Sequence, residues 1–328
     1  MERILGIGNA LVDVLAQVES ERTLQAMKLP KGSMQLLSDR RFESISSTIN
    51  AMPTKLATGG SACNTILALG NLGARPGVIG KIGDDSHGRF FENNCLEHGI
   101  TPHLIHDTRP TGVASTFITP DGQRTFGTYL GAAARLTPEE IRPEWFDNYV
   151  YLYIEGYLVQ NHRLVEYVLD SARERGMRIG LDMASYNIVE EDRVFFAHLL
   201  EKVDIVFANE EEARAFSGKT PREALDELGD ICDVAVVKTG KAGAMAKAGD
   251  EIVQVPARPV ERVVDTTGAG DFFAAGFLYG HSRGDNLAEC VRKATVLAAY
   301  VIEVVGTKLS DRVWDAIRHE VAPLKSFE

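Results

Sequence analysis

The run Asp265-Thr266-Thr267-Gly268-Ala269-Gly270-Asp271 carries the densest chemistry in the chain. Gly268 and Gly270 remove side chains where the apolar segment from Phe272 to Phe277 begins a helix. Unpaired N–H groups at a helix start point outward, and the helix dipole favours negative charge there. The run therefore predicts an anion hole built from Gly268, Ala269 and Gly270. A carboxylate in that place repels an anion, so Asp271 needs a function of its own. General base fits: it takes the proton from a hydroxyl whose oxygen attacks a phosphoryl group held by the neighbouring amides. The competing interpretation is a capped helix start after a glycine turn, since Asp and Thr both cap well.

Three other patterns fail on spacing. Gly218-Lys219-Thr220 has the tail of a phosphate-binding P-loop, but Ala213 stands where its first glycine belongs. Gly6-x-Gly8 opens like a dinucleotide fingerprint, yet its third glycine is replaced by Leu11. That excludes a nicotinamide-dependent oxidoreductase. His98, His103 and His106 lie close together, but Gly99 and Pro102 break any common helical face, so they read as loop or edge-strand histidines rather than zinc ligands.

The elements that position Asp271 follow a clear rhythm. Short apolar runs at 4–8, 78–81, 149–154, 178–182, 204–207 and 234–238 alternate with amphipathic stretches at 61–72, 162–175, 195–202 and 210–217. That alternation predicts an α/β fold, a mostly parallel central sheet covered by helices. Two consecutive helices are expected across 270–305. Segments 11–18, 33–37, 113–119 and 125–130 instead alternate like half-exposed strands, the last two joined by the turn Pro120-Asp121-Gly122. They predict a small antiparallel β lid, formed by insertions about 11–37 and 110–131 of one domain spanning 1–328.

Composition bounds the partners. The 35 Lys and Arg against 46 Asp and Glu leave a net charge of −11, which disfavours a broad nucleic-acid or anionic-membrane surface but not a small anion held by backbone amides. No apolar run approaches the length of a membrane span. Cys63, Cys95, Cys232 and Cys290 form no CxxC pair or zinc spacing. With no secretory leader in evidence, they read as reduced thiols of a cytoplasmic protein.

The segment 265–277 resembles the second signature of the ribokinase-like (PfkB) family of sugar and nucleoside kinases. The family's first signature is matched by Gly59-Gly60-Ser61-Ala62-Cys63-Asn64, continuing through Gly80-Lys81-Ile82-Gly83-Asp84-Asp85 to Gly88. The order is right and the resemblance spans essentially the whole chain. It implies a ribokinase-like fold with Asp271 as catalytic base, and ATP and Mg²⁺ as cofactors. Asn209-Glu210-Glu211-Glu212 is similar to the family's N-x-x-E motif, which implies that Asn209 and Glu212 organise Mg²⁺ through water; alone it would read as the acidic first turn of a surface helix. Lys238, Gly240, Gly243 and Thr266 fall on the nucleotide-binding positions, with Lys238 where Thr is common. A monovalent cation, K⁺, is implied near Asp265 and Thr267.

For the acceptor, the resemblance implies that Asp13 binds two hydroxyls, which suits a carboxylate facing a vicinal diol. Asn9, Gly59, Gly60 and Asn64 would complete the sugar site. Arg124 aligns with a lid arginine that swings onto the transferring phosphate. The adenosine kinase branch is matched by 8–13, 153–157, 203–210 and 289–292, with Gln35 and Tyr157 expected beside the base. The expected reaction is ATP-dependent phosphorylation of a primary hydroxyl of a nucleoside, adenosine foremost. The alternatives are a free sugar such as ribose or fructose, or a catalytically silent ligand-binding protein on the same fold. Either a monomer or a homodimer joined through its lid fits.

Overall fold

The computed structural model describes residues 3–120 and 123–322. Among them lie fourteen strands: β1 (Ile4–Ile7), β2 (Leu11–Gln17), β3 (Met34–Leu36), β4 (Thr54–Gly59), β5 (Gly77–Gly83), β6 (Thr101–Asp107), β7 (Gly112–Ile118), β8 (Arg124–Tyr129), β9 (Tyr151–Glu155), β10 (Arg178–Asp182), β11 (Ile205–Asn209), β12 (Val234–Lys238), β13 (Ala244–Ala248) and β14 (Glu251–Val255). Nine of these form one sheet in the order β14-β13-β12-β11-β10-β9-β1-β5-β6. Every pairing from β12 to β6 is parallel; only the β12-β13-β14 edge is antiparallel. The expected α/β sheet is therefore present, extended at one edge by a hairpin.

Helices cover both faces for the reason the pattern gave. The His162–Arg173 helix buries Leu164, Val165, Val168, Leu169 and Ala172, a stripe at helical spacing. Asn161 caps it by accepting from the Leu164 amide, worth about 1 kcal/mol. The two helices expected late in the chain are Ala269–His281 and Leu287–Val301, and they pack on each other. No helix of the described residues is long and apolar enough to cross a membrane.

The other five strands form a separate sheet, β3-β8-β7-β2-β4. The small sheet expected from the alternating segments exists, with a more varied pairing. β2 with β4 and β7 with β8 are antiparallel, whereas β2 with β7 and β3 with β8 run parallel. The parallel pairs join strands from different excursions of the chain, between which the chain returns to the large sheet. β4 extends the first excursion to Gly59. Asp121 and Gly122 of the expected turn lie outside the described residues.

Strand ends make the site. β1 leads into Asn9, while β9, β10, β11 and β12 end in Glu155, Asp182, Asn209 and Lys238. Register places Asp182 beside Glu155 and Asn209 beside Lys238. Strand order reverses around β1, and ligands of open α/β sheets lie at carboxyl ends beside such a reversal.

Candidate active site

Asp271 sits in the first turn of the Ala269–His281 helix, which opens on Gly268 with φ 77°. A Cβ on Gly268 would come within 2.5 Å of the Thr307 methyl, so both its backbone and its surroundings require glycine. The Asp271 carboxylate is gripped from the facing helix, Ser61–Asn71. Ser61 Oγ donates to Oδ1 at 2.7 Å and Asn64 Nδ2 donates to Oδ2 at 2.8 Å. Burial pushes its pKa up to about 6; Ser61, Asn64 and Lys238 pull it down, and Asp182 adds to the rise. The result is an oriented carboxylate, mostly ionised at neutral pH, that can accept a proton.

A cleft of about 1110 Å³ opens in front of it. Its wall includes Ser61, Tyr157, Asp182, Asn209, Glu212, Lys238, Gly240, Gly243, Thr266, Gly268, Ala269, Gly270 and Asp271. The expected nucleotide positions therefore converge on one surface. Lys238 donates to Asp182 Oδ2 at 2.8 Å, and its Nζ lies 3.3 Å from where a Gly270 Cβ would stand. Burial alone would lower the Lys238 pKa, but Asp182, Glu212 and Asp271 together raise it, so the ammonium stays charged at the helix start. Of the three expected anion-hole amides, that of Ala269 is engaged with the Thr266 carbonyl at 3.2 Å, which leaves the helix start at Gly270 as its stronger part.

The acidic segment after β11 is a capping box. Asn209 Oδ1 accepts from the amides of Glu211 and Glu212, and Glu212 returns both oxygens to Asn209, at 2.7 Å each. Glu212 is buried, and burial raises its pKa to about 7, with Lys238 opposing. The bland and the chemical readings of this motif thus coincide in one feature: a helix start that also presents carboxylates to the cleft.

On the acceptor side, Asp13 lies in β2 at the height of β4. A side chain on Gly59 would collide with the Asp13 carboxylate, and one on Gly60 would collide with the Asn9 carbonyl oxygen. Asp13 is pushed up to about 7 by burial and by Asp271, with Arg124 opposing. Asn64 is buried; its amide nitrogen is engaged with Asp271, while its Oδ1 has no partner. That oxygen is a buried acceptor still without a donor. Asn9 is placed differently from expectation. Its Nδ2 and backbone N–H both donate to Glu155 Oε1, at 2.6 and 2.8 Å, so it secures a neighbour rather than facing the cleft with that amide. Gln35 sits on the edge strand β3 opposite Gly127 and is not among the residues lining the cleft. Tyr157 does reach the cleft wall, and its hydroxyl donates to the Ala184 carbonyl at 3.4 Å.

Arg124 and the expected cation position also differ from expectation. Arg124 Nη1 pairs with Asp265 Oδ2 at 2.6 Å, both side chains being about nine-tenths buried or more. In this structure it binds the loop ahead of the helix instead of reaching over the cleft. Sequence reasoning missed Ser61, Asp182 and Glu155. Glu155 accepts from Ala62 N at 2.9 Å as well as from Asn9, and so joins the root of β2 to the helix that holds Asp271. Ser61 and Asp271 are 210 residues apart, and no local pattern reports such a contact. The one available signal was that Asp182 and Glu155 end buried strands, where a charge is costly without a purpose.

The Ser61 bond makes a measurable prediction. A base must be ionised, so kcat/KM rises with pH through the pKa near 6. Ser61→Ala removes a bond that favours the ionised form and shifts that acid limb upward, by up to about one unit. A pH–rate profile of the mutant with an unmoved limb refutes the assignment of Asp271 as the titrating base.

The pfkB family carbohydrate kinase pattern matches residues 37–313. An adenosine kinase from Sinorhizobium meliloti is 33% identical, with a TM-score of 0.87 over 97% of this chain and 99% of that one. A probable sugar kinase from Rhizobium etli CFN 42 has the same identity and TM-score, over 97% and 98%. A 5-dehydro-2-deoxygluconokinase from Listeria monocytogenes is 29% identical over 262 residues, 74% of this chain and 80% of its own length. The chain belongs to the pfkB family of carbohydrate kinases, phosphotransferases that act on hydroxyl groups and use ATP with a divalent metal.

Proposed function

We propose that this kinase transfers the γ-phosphoryl group of ATP to the 5′-hydroxyl of adenosine. The observation that carries the chemistry is the Asp271 carboxylate, gripped by Ser61 and Asn64 at the mouth of the Gly268–Gly270 helix start. A hydroxyl placed there gives its proton to Asp271 as its oxygen attacks. The helix start and the Lys238 ammonium face the charge that develops on the phosphoryl oxygens. Asp13 and Asn64 Oδ1 orient the sugar hydroxyls, with Gly59 and Gly60 leaving room for the ring. The small sheet serves as a lid that excludes water, so that the hydroxyl outcompetes hydrolysis.

The residues present suit the divalent metal. Asn209 and Glu212 are on the cleft wall, and both Glu212 oxygens already bind Asn209, so they would hold Mg²⁺ through water. When bound, the metal neutralises charge on the phosphate chain. Four buried free cysteines suit a reducing, cytoplasmic setting.

The choice of adenosine is supported by the 33% identity to the Sinorhizobium protein and by Tyr157 on the cleft wall. A free-sugar acceptor is the second reading, favoured by relatives whose names are those of sugar kinases. The deciding experiment is Mg²⁺-dependent ADP release from ATP with adenosine, inosine, ribose, fructose or 5-dehydro-2-deoxygluconate. Adenosine is expected to stimulate most strongly. Stimulation by a sugar alone overturns the nucleoside reading and leaves Asp271 and Asp13 in their roles.

A further inference from the structure

The family resemblance implies a monovalent cation beside Asp265 and Thr267, and the residues there do not suit one. A carboxylate offers about four lone-pair sites. Asp265 receives four donors: Arg124 Nη1 at 2.6 Å and the Gly306 amide at 2.8 Å on Oδ2, and the Thr267 amide at 3.1 Å and hydroxyl at 2.8 Å on Oδ1. The Thr267 hydroxyl oxygen is also within 3.5 Å of Arg124 Nη1. The adjacent carbonyl of Ile302 accepts from two amides, those of Val264 at 2.7 Å and Asp265 at 3.2 Å. Both carboxylate oxygens of Asp265 and the Ile302 carbonyl are thus already engaged, and the positive charge that the carboxylate faces is a guanidinium.

We propose that Arg124 takes the place of a monovalent cation in this kinase: the side chain from the small sheet supplies the charge that holds the 265–268 loop in shape, and the enzyme needs no K⁺. The tie has a consequence for the site. Asp265 and Thr267 precede Gly268, so the cation that orders the anion-hole loop arrives on β8 and leaves with it. Loop order and small-sheet position are one equilibrium rather than two. Arg124 acts here as a positioning residue, through Asp265 and Thr267.

The test compares KCl with choline chloride at equal ionic strength. It uses two readouts: thermal melting of the enzyme without substrates, and ADP release with MgATP and adenosine. Melting does not depend on which acceptor is correct, so failure of the adenosine reading leaves the test intact. For the unmodified enzyme the two salts are expected to give the same melting temperature, and velocities within about two-fold. A melting temperature raised specifically by K⁺, or a ten-fold or greater stimulation by K⁺, overturns the proposal. Arg124→Gln takes the guanidinium off Asp265 Oδ2, which keeps only its Gly306 donor, and this variant is expected to acquire a K⁺-specific rise in melting temperature and partial recovery of velocity. Arg124→Lys retains a cation and is expected to remain indifferent to the salt. If Arg124→Gln melts identically in both salts, the substitution of arginine for an ion is refuted, because the vacated loop then holds no cation at all. Should that variant fail to fold, the comparison on the unmodified enzyme still decides.

Discussion

Asp271→Asn is expected to lower kcat by about 10²–10⁴-fold, the range that a positioned general base supplies. The fold should survive it. Asn is isosteric, Ser61 can still donate to the new amide oxygen, and the amide of Asn64 can turn over. Its Oδ1, which has no partner in the native arrangement, then accepts from the introduced NH₂. Burial opposes the charge on Asp271, so removing that charge should leave thermal stability unchanged or slightly raised. ATP binding, measured by calorimetry, should change little, and the acceptor should weaken only modestly, since the turned Asn64 offers its NH₂ to a hydroxyl in place of Oδ1. Near-normal turnover in a well-folded mutant would mean that the proton leaves by another route and that Asp271 is not the base.

The second large effect is expected at Gly60. Its backbone lies at φ 94°, ψ 132°, a region that side chains rarely adopt, and an added methyl would strike the Asn9 carbonyl oxygen. Strain and overpacking together should cost about 2–6 kcal/mol. That is a large share of the roughly 5–15 kcal/mol by which a protein is stable. Gly73→Ala is the internal control. Gly73 also has positive φ, at 82°, but nothing lies within 4 Å of its added carbon. It should lose only about 1–2 kcal/mol, from the backbone alone. Chemical denaturation of both variants separates the two contributions. Equal losses would show that the close approach at Asn9 relaxes freely, and that the backbone around Gly60 is softer than its geometry implies.

Much of the architecture was legible because buried parallel strands read as short apolar runs and helices as periodic stripes. β9, β10 and β12 lie where those runs predict them. The parts that were not legible share a cause. β4 is Thr-Lys-Leu-Ala-Thr-Gly and β13 is Ala-Met-Ala-Lys-Ala, sequences with weak alternation that become strands only because a neighbouring strand supplies partners. The same holds in the site. Glycine spacing pointed to Gly268, Gly270 and Asp271, since those constraints are local. The grip of Ser61 comes from two helices meeting, and the pairing of Lys238 with Asp182 from strands of the folded sheet. Arg124 was expected as a lid arginine for the transferring phosphate, but its partner in the structure, Asp265, lies 141 positions further along the chain, and only the folded chain reveals it.

The bond between Asn9 and Glu155 crosses 146 residues, at the point where β1 slots between β5 and β9. This has consequences for assembly during synthesis. β1 precedes the other described strands, but one of its two neighbours emerges only after β2 to β8 have been made. β2, meanwhile, has to wait for β7. Nascent chains that end before β7 therefore hold both strand edges open, those that end between β7 and β9 still hold that of β1, and such edges invite pairing with other chains. A ribosome paused between β8 and β9 leaves the β1 edge without its second neighbour, whereas one paused after β12 leaves a nearly complete central sheet.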